Sequence, residues 1–473
     1  MNHKIKSLKF LSVVLGIAVA FSSCENKLDI TPKGKTILKK TSELELLLNT
    51  PNELGEVNML TLVDNECYSE ENVNNQISKK NSLGYALLAF DESVDRAGLT
   101  ANDATYEGAY ANINYANTVI EKVDDSEGGS EAKKAQLKAE ARIIRAYMHY
   151  IVVNIYAAQY DESTASTTGG VPYCDNCRVD EVKKKLTVKE VYDRILEDCD
   201  ESVIELLPDE STTIRGSKAW GYCVRAKVLF QMKRYAEALP FALKALSYND
   251  NMADRRDIVE TGEWAVEEIE PFNIFYIPTG MGYPWGEMLT TEMLSQYEPG
   301  DIVMEYAEDW GDPVWDTSYG ERRSGVKGCK VCGSFSLEWN NWGVTVERLM
   351  YVAAECQIRT GKINDAMETI NKVRRMRIAP DVYEDKSAST EEEAMAILMP
   401  CKRVENIATY ENFFDDKRRN TEPSYRKTIV RDMVLTTGEN LRFELSPDSK
   451  LWIFPFPLSA TRHNKTLTQN YDE

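Results

Sequence analysis

Residues 219–245 read AWGYCVRAKVLFQMKRYAEALPFALKA, and this stretch decides the fold. Small and apolar side chains recur every three or four residues in each half of it, which is the spacing of one helix face. In the first half these residues are Ala219, Tyr222, Ala226 and Leu229. In the second half they are Tyr235, Ala238, Ala242 and Ala245. Because alanines let two antiparallel helices approach closely, the stretch predicts a helical hairpin.

A second stretch further along the chain shows the same pattern. Its first helix carries Met350, Ala353 and Ala354 before Gly361, and its second carries Ile363, Ala366, Ile370 and Val373. Both stretches are typical of tetratricopeptide helix pairs, but they lie much further apart than the repeat length of about 34 residues. We therefore expect an all-α scaffold of tetratricopeptide-like pairs with a long irregular, aromatic-rich insertion between them. Generic amphipathic helices are the alternative.

Another helix is predicted to begin after Thr187. Glu190 follows three residues later, and the two side chains are spaced as a capping box. One apolar face then continues through Val191, Ile195, Cys199, Val203 and Leu207. We expect this helix to end at Pro208.

Composition and charge exclude several classes of function. The 473-residue chain has a formal net charge of −20, which is opposite in sign to a nucleic-acid-binding surface. It contains only 3 histidines, so an H-E-x-x-H zinc site is excluded. With 76 acidic residues, some carboxylate pair is found at any spacing, and no glycoside-hydrolysing pair stands out. We expect a binding protein and no enzyme.

The N-terminus has the pattern of an export signal. Lysines precede the apolar stretch Phe10–Phe21, which is shorter than the roughly 20 residues that a membrane-spanning helix needs. Small residues and then Cys24 follow it, an arrangement that resembles a bacterial lipobox. We expect residues 1–23 to be a signal peptide and Cys24 to carry acyl chains such as palmitate. An ordinary signal peptide cut elsewhere, with Cys24 incidental, is the alternative.

Aromatic residues cluster in the predicted insertion. Six of the eight tryptophans are Trp264, Trp285, Trp310, Trp315, Trp339 and Trp342. Aromatic rings on loops can stack on the C–H faces of sugars while carboxylates bind the hydroxyl groups. The candidate ligand-binding residues are Tyr283, Trp285, Trp310, Trp315 and Tyr319. The alternative is that these rings fill the core beneath a long loop region.

Two C-x-x-C units stand out among the ten cysteines. They are Cys174 with Cys177 and Cys329 with Cys332. Four thiolates in two such units can hold one structural Zn²⁺, provided that the fold brings the units together. Two local disulfides or unpaired thiols are the alternatives in an exported protein, and thioredoxin-like redox chemistry is a further one that lacks its βαβ context here.

A family resemblance extends over nearly the whole chain after residue 23. The chain resembles the SusD/RagB-like outer-membrane lipoproteins of Bacteroidetes-type bacteria, and the order of its motifs carries the resemblance. These motifs are Cys24 followed by Leu28–Pro32, Ala111–Asn117, Ala141–Tyr156, Gly169–Pro172, Val188–Pro208, Arg348–Gly361, Arg374–Arg377, Phe413–Arg418 and Phe454–Pro457.

The resemblance implies an all-α protein on the extracellular face of the outer membrane that captures a nutrient. It also implies a partner, a SusC-like TonB-dependent transporter, and no catalytic residues. With the segments above, it suggests a signal peptide (1–23), a lipidated tether (24–40), an N-terminal helical part (41–250), a ligand-binding insertion (251–341) and a C-terminal helical part (342–473). An oligo- or polysaccharide is the expected nutrient, no cofactor is expected beyond the candidate Zn²⁺, and the lipid is the expected membrane attachment.

Two other functions stay open at this point. Peptide or metal-complex cargo would suit the same transport role, and the cysteines favour the second of these slightly. A structural or adhesive surface lipoprotein whose helical repeats bind only protein belongs to a different class.

Overall fold

The computed structural model describes residues 38–49, 53–178, 180–257, 269–278, 287–304, 317–332 and 340–473. Helices dominate its regular structure and the strands are short, so the predicted all-α class is confirmed. The helices up to residue 250 are α1 (Thr41–Leu48), α2 (Asn58–Val63), α3 (Val73–Ser78), α4 (Leu83–Leu88), α5 (Arg96–Leu99), α6 (Ala104–Lys122), α7 (Glu131–Tyr156), α8 (Val188–Asp198), α9 (Glu201–Ile204), α10 (Lys218–Gln231) and α11 (Tyr235–Tyr248).

The later helices are α12 (Thr291–Leu294), α13 (Thr317–Ser324), α14 (Val346–Arg359), α15 (Ile363–Arg374), α16 (Glu391–Glu405), α17 (Glu411–Arg419) and α18 (Leu458–Thr461). Single 3₁₀ turns lie at Lys450–Trp452 and Asn470–Asp472. The strands are β1 (Cys67–Tyr68), β2 (Gly169–Pro172), β3 (Lys185–Thr187), β4 (Asn273–Phe275), β5 (Met288–Leu289), β6 (Lys330–Val331), β7 (Val344–Thr345), β8 (Ile429–Val434) and β9 (Asn440–Leu445).

Both predicted helix pairs form, and they pack on each other. Helix α10 packs against α11, α14 packs against α15, and α11 packs against α14. The side chain of Ser217 begins α10 by accepting a hydrogen bond from Trp220 N, and Thr345 begins α14 in the same way. Gly361 has φ 77°, a left-handed conformation that glycine adopts without strain, and it turns the chain from α14 into α15. The two pairs therefore belong to one tetratricopeptide-like scaffold.

Helix α7 lies at the centre of the molecule. Its last residues are buried on every side, and α6 and α8 pack against it. The hydroxyl of Tyr147 donates a hydrogen bond to the carbonyl of Trp342, 2.6 Å away, and lies 2.8 Å from the hydroxyl of Tyr410. One hydrophobic cluster runs from α1 through α7 to the C-terminal segment.

The helix predicted from Thr187 to Pro208 is two helices in the structure. The capping box of Thr187 and Glu190 forms as expected, but α8 ends at Asp198 and α9 begins at Glu201. The reason is Asp200, whose side chain accepts a hydrogen bond from Ser202 N and so begins a new helix. The single-helix prediction was wrong at this point.

The strands pair antiparallel in small sheets. The three-stranded sheet has the order β1-β5-β6, while β2 pairs with β3, β4 with β7 and β8 with β9. Within the residues that the structure describes, no helix is both long enough and apolar enough to cross a membrane.

Candidate functional site

An open groove of about 620 Å³ lies at the N-terminus of α6. Residues 53–60 and 99–105 line its sides, and Leu83, Ile155, Tyr156, Trp342 and Phe454 complete it. We call this feature the α6 groove. Its lining comes from segments that are far apart in the sequence, so it exists only in the folded chain.

Buried aromatic side chains form the floor of the α6 groove. Tyr156, Trp342 and Phe454 are each at most 5% exposed. Trp342 Nε1 donates a hydrogen bond to the carbonyl of Gly55, and Phe454 N donates one to the carbonyl of Ile155. The first bond ties the loop before α2 to the segment that precedes α14, and the second ties the C-terminal segment to the end of α7. The floor is therefore held by three distant parts of the chain.

The Asp103 side chain fixes the rim at the start of α6. Its Oδ1 accepts hydrogen bonds from Thr105 N at 2.9 Å and Tyr106 N at 3.1 Å. This capping uses only one carboxylate oxygen. Burial, and next the nearby Asp103 carboxylate, raise the pKa of the Tyr156 phenol well above its ordinary value. The phenol therefore stays protonated at neutral pH.

The accessible part of the rim mixes polar and apolar side chains. Glu53, Glu56 and Asn102 are exposed, and the amide of Asn102 makes no hydrogen bond to the described part of the chain. Met59 and Leu99 are 39% and 38% exposed. Carboxylates accept hydrogen bonds from hydroxyl groups, an amide both donates and accepts, and apolar side chains pack against C–H groups. This combination suits a polyhydroxylated ligand.

Most of the predicted aromatic candidates lie outside the described residues. These are Tyr283, Trp285, Trp310 and Trp315. Tyr319 lies on α13, where it is half-buried and packs against the main hydrophobic cluster. Trp342, a member of the same sequence cluster, is fully buried and belongs to the floor of the α6 groove. The aromatic contribution to ligand binding stays a prediction.

The two C-x-x-C units do not form one thiol group. Cys177 Sγ donates a hydrogen bond to Glu121 Oε2 at 2.8 Å, and Cys174 N donates one to His149 Nε2 at 3.1 Å. Cys329 packs into the main hydrophobic cluster, whereas Cys332 packs into a second cluster. Cys329 and Cys332 reach different clusters because residues three apart along an extended strand point to opposite faces of the sheet.

All nine cysteines in the described ranges are free thiols, so neither unit forms a local disulfide in this structure. Cys332 has a different neighbour from the one predicted, because its Sγ lies 3.5 Å from Cys67 Sγ. Burial, and next the Glu66 carboxylate, raise the pKa of nearby Glu287 to about 8. Sequence reasoning missed Cys67 because β1, β5 and β6 are two residues each, too short to show an alternating pattern.

The fold places the chain in the class of all-α proteins built on tetratricopeptide-like helix pairs, here with an open groove. A family model described as "Starch-binding associating with outer membrane" matches residues 32–229, and a model described as "SusD family" matches residues 349–472. The two models together match more than half of the chain, which therefore belongs to the SusD/RagB-like family. No curated protein matches the chain.

Solved structures share the fold at low sequence identity. A SusD superfamily protein from Bacteroides thetaiotaomicron VPI-5482 superposes with a TM-score of 0.69 at 13% identity, covering 91% of this chain and 99% of that one. A SusD-like carbohydrate binding protein from Bacteroides vulgatus ATCC 8482 superposes with a TM-score of 0.62 at 15% sequence identity, covering 91% of this chain and 98% of that one. Surface glycan-binding protein A from Bacteroides uniformis superposes with a TM-score of 0.65 at 15% sequence identity, covering 92% of this chain and 99% of that one. At these identities the likeness establishes the fold.

Proposed function

We propose that this chain is a lipoprotein on the outer surface of the outer membrane that binds an oligo- or polysaccharide and delivers it to a SusC-like TonB-dependent transporter. Membership of the SusD/RagB-like family, whose members are binding proteins and not enzymes, supports carbohydrate binding in nutrient uptake. The observation that carries the proposal for this chain is the α6 groove, with its exposed carboxylates, its apolar rim and the exposed amide of Asn102, which no described residue pairs. Lipid on Cys24 supplies the attachment.

The binding mode follows from the chemistry of the rim. Glu53 and Glu56 accept hydrogen bonds from sugar hydroxyl groups, and Asn102 both donates and accepts. Met59 and Leu99 cover C–H groups of the sugar ring. The aromatic residues Tyr283, Trp285, Trp310, Trp315 and Tyr319 stay the candidates for ring stacking against the glycan.

A glycan array, followed by calorimetry with the best-bound glycan, tests the groove. We expect Asn102→Ala to weaken binding about fivefold, since one lost neutral hydrogen bond contributes about 1 kcal/mol. Asn251→Ala is the matched control, because Asn251 is also an exposed asparagine but lines a separate cleft with Ser211 and Pro271. Equal effects of the two substitutions would remove the groove from the proposal.

The aromatic platforms are tested separately by replacing all five candidates with alanine. We expect glycan binding to be lost in a variant whose circular dichroism matches the wild type. Unchanged affinity would show that these rings do not contact the glycan. A protease digest presented beside the glycan array distinguishes the cargo classes, and binding to peptides alone would overturn the carbohydrate proposal.

The proposed lipid attachment and the proposed transporter partner are tested by separate measurements. Mass spectrometry of the mature protein is expected to find acyl chains on Cys24. Purification of the chain from outer membranes in mild detergent is expected to bring a TonB-dependent transporter with it. Recovery with other surface proteins, and without a transporter, would favour the structural or adhesive function.

A further inference from the structure

The sheet β1-β5-β6 places three ligand-type side chains on one face. Cys67 pairs with Leu289 across β1 and β5. Cys332 N donates a hydrogen bond to the carbonyl of Glu287 at 2.8 Å, which places these two residues opposite each other. Side chains two apart on a strand share a face, so Glu287 and Leu289 point the same way. Cys67, Glu287 and Cys332 therefore meet on the same side of the sheet.

The three side chains are close together and almost free of solvent. Cys67 and Cys332 are at most 1% exposed and Glu287 is 7% exposed. One ligand atom from each lies within 4.8 Å of the other two, and among the described residues this is the only such group of three or more. Around them pack apolar side chains, among them Met293, Val303, Val404 and Ile407.

Glu287 has an unsatisfied oxygen in this environment. Its Oε2 is buried and makes no hydrogen bond. Buried polar side-chain atoms are nearly always paired, so a carboxyl oxygen left unpaired beside two thiols needs an explanation. A bound cation would satisfy it.

We propose that Cys67, Cys332 and Glu287 bind a thiophilic divalent cation, with Zn²⁺ as the best match. Zinc accepts thiolate sulfur at about 2.3 Å and carboxylate oxygen at about 2.0–2.2 Å, in tetrahedral geometry. Two thiolates at that distance are about 3.8 Å apart in a tetrahedron. The two sulfur atoms here are 3.5 Å apart and need to move only slightly. On binding, the two thiols and the carboxyl group each release a proton to solvent.

A water molecule takes the fourth position. The nearest further carboxylate is Glu66, whose Oε1 lies 4.0 Å from Cys67 Sγ. Glu66 already accepts hydrogen bonds from Ala408 N and Asn412 Nδ2. Its oxygens are therefore engaged, and Glu66 supports the site from outside the coordination sphere.

The strand order disfavours a disulfide as the alternative. Strand β5 lies between β1 and β6, so the backbones that carry Cys67 and Cys332 are about 10 Å apart. A disulfide needs Cα atoms within about 7 Å of each other. Oxidation would require β5 to be displaced, whereas a cation bridges the two sulfur atoms and also takes the carboxylate of the middle strand.

The cation would join three separate parts of the chain. Cys67 follows α2, while Glu287 directly follows residues 279–286 of the predicted insertion and Cys332 directly precedes residues 333–339. A metal ion at this point ties β5 and β6 to β1, and so to the helical scaffold. The site is thus structural and independent of the proposed glycan binding.

Titration of the metal-free, reduced, mature protein with Co²⁺ and then Zn²⁺ tests the site. We expect one cobalt per chain, with the absorption of tetrahedral thiolate coordination, and its displacement by zinc. Cys332→Ser is expected to weaken zinc binding at least about 100-fold and to remove the thiolate absorption. Cys329→Ser is the matched control, because Cys329 lies on the opposite face of β6, and it is expected to bind as the wild type does.

X-ray absorption on zinc-loaded wild-type protein keeps the test decisive if a cysteine variant fails to fold. Two sulfur neighbours per zinc with oxygen completing the shell are expected. Four sulfur neighbours, no sulfur neighbours, or stoichiometric Cys67–Cys332 disulfide without metal binding would overturn the proposal. Unchanged zinc affinity in folded Glu287→Gln would remove Glu287 from the site.

Discussion

Arg418 shows how this protein uses charge inside its core. The residue is fully buried, and its guanidinium donates hydrogen bonds to Glu355, Asp415 and the hydroxyl of Tyr235 at 2.7–3.1 Å. The run of basic residues from 417 to 419 is buried, and the partners of Arg418 lie on α11, α14 and α17. A buried pair of this kind is costly to break, because removing one partner leaves the other charge unpaired.

We expect Arg418→Met to lower the free energy of unfolding by about 3 kcal/mol, the low end of the range for breaking a buried ion pair, because Glu355 and Asp415 lose one cation but keep Lys402. Arg442→Met is the control. Arg442 pairs with Asp432 at 2.8 Å on the exposed hairpin β8–β9, and such surface pairs contribute about 0–1 kcal/mol. Urea unfolding followed by circular dichroism measures both, and equal losses would contradict the argument.

His149 is buried in a neutral form. Its Nε2 accepts a hydrogen bond from Cys174 N, so Nδ1 carries the proton and donates to the carbonyl of Arg145 at 2.8 Å. Burial lowers the pKa of His149 to about 3. An unfolded histidine has a pKa of about 6.5. Between these values the unfolded chain binds a proton that the folded chain does not.

The stability of the protein should therefore fall as the pH drops below 6.5. His149 accounts for about 1.4 kcal/mol per pH unit of this loss. In His149→Gln the unfolding free energy measured from pH 6 to pH 4.5 should decline less steeply by that amount. His463→Gln replaces an exposed histidine and should keep the wild-type slope. An unchanged slope in His149→Gln would show that His149 is protonated in the folded protein.

Among the elements, α11 depends most directly on small side chains. It packs against both α10 and α14, and Ala238, Ala242 and Ala245 are fully buried. The close approach of these helices is what the alanine spacing predicts from the sequence. A larger side chain in this interface has no space to occupy.

We expect Ala242→Leu to destabilise the protein by about 1–3 kcal/mol through overpacking. Leu243→Ala, at the adjacent position that is 44% exposed, should change stability by no more than about 0.5 kcal/mol. Thermal unfolding of both variants is the measurement. A neutral Ala242→Leu would mean that α11 can move away from its neighbours at little cost.

Capping and periodicity rules predict helices and strands correctly where a single sequence signal is present. They fail where two signals, such as a continuous apolar face and a new N-cap residue, occur together. The capping box at Thr187 is readable from the sequence because it is a spacing rule. The break before α9 is not, because Val191, Ile195 and Val203 keep helical periodicity across it while Asp200 begins a new helix. The sheet that carries Cys67 is built from two-residue strands, and its face is set only by tertiary pairing.

At the scale of the whole molecule, the fold class is predictable because its motifs occur in order along the chain. The α6 groove is not predictable in this way. Asn102, Glu56 and Phe454 become neighbours only through the packing of α6, α7 and the C-terminal segment. The aromatic insertion is a prediction from composition alone, since the clustering of tryptophan along the sequence needs no knowledge of contacts. Composition cannot state which of those rings are accessible.

The C-terminal segment also sets the order of events during folding. Asn470 donates hydrogen bonds to the carbonyls of Tyr156 and Gly170, partners that precede it by 314 and 300 residues. Leu458 N likewise bonds to the carbonyl of Thr100. Contacts across such separations form late, because the chain must first close a very large loop. Phe454 belongs to the floor of the α6 groove, so the groove is complete only after the C-terminal segment has packed, and a chain truncated before that segment lacks part of the floor.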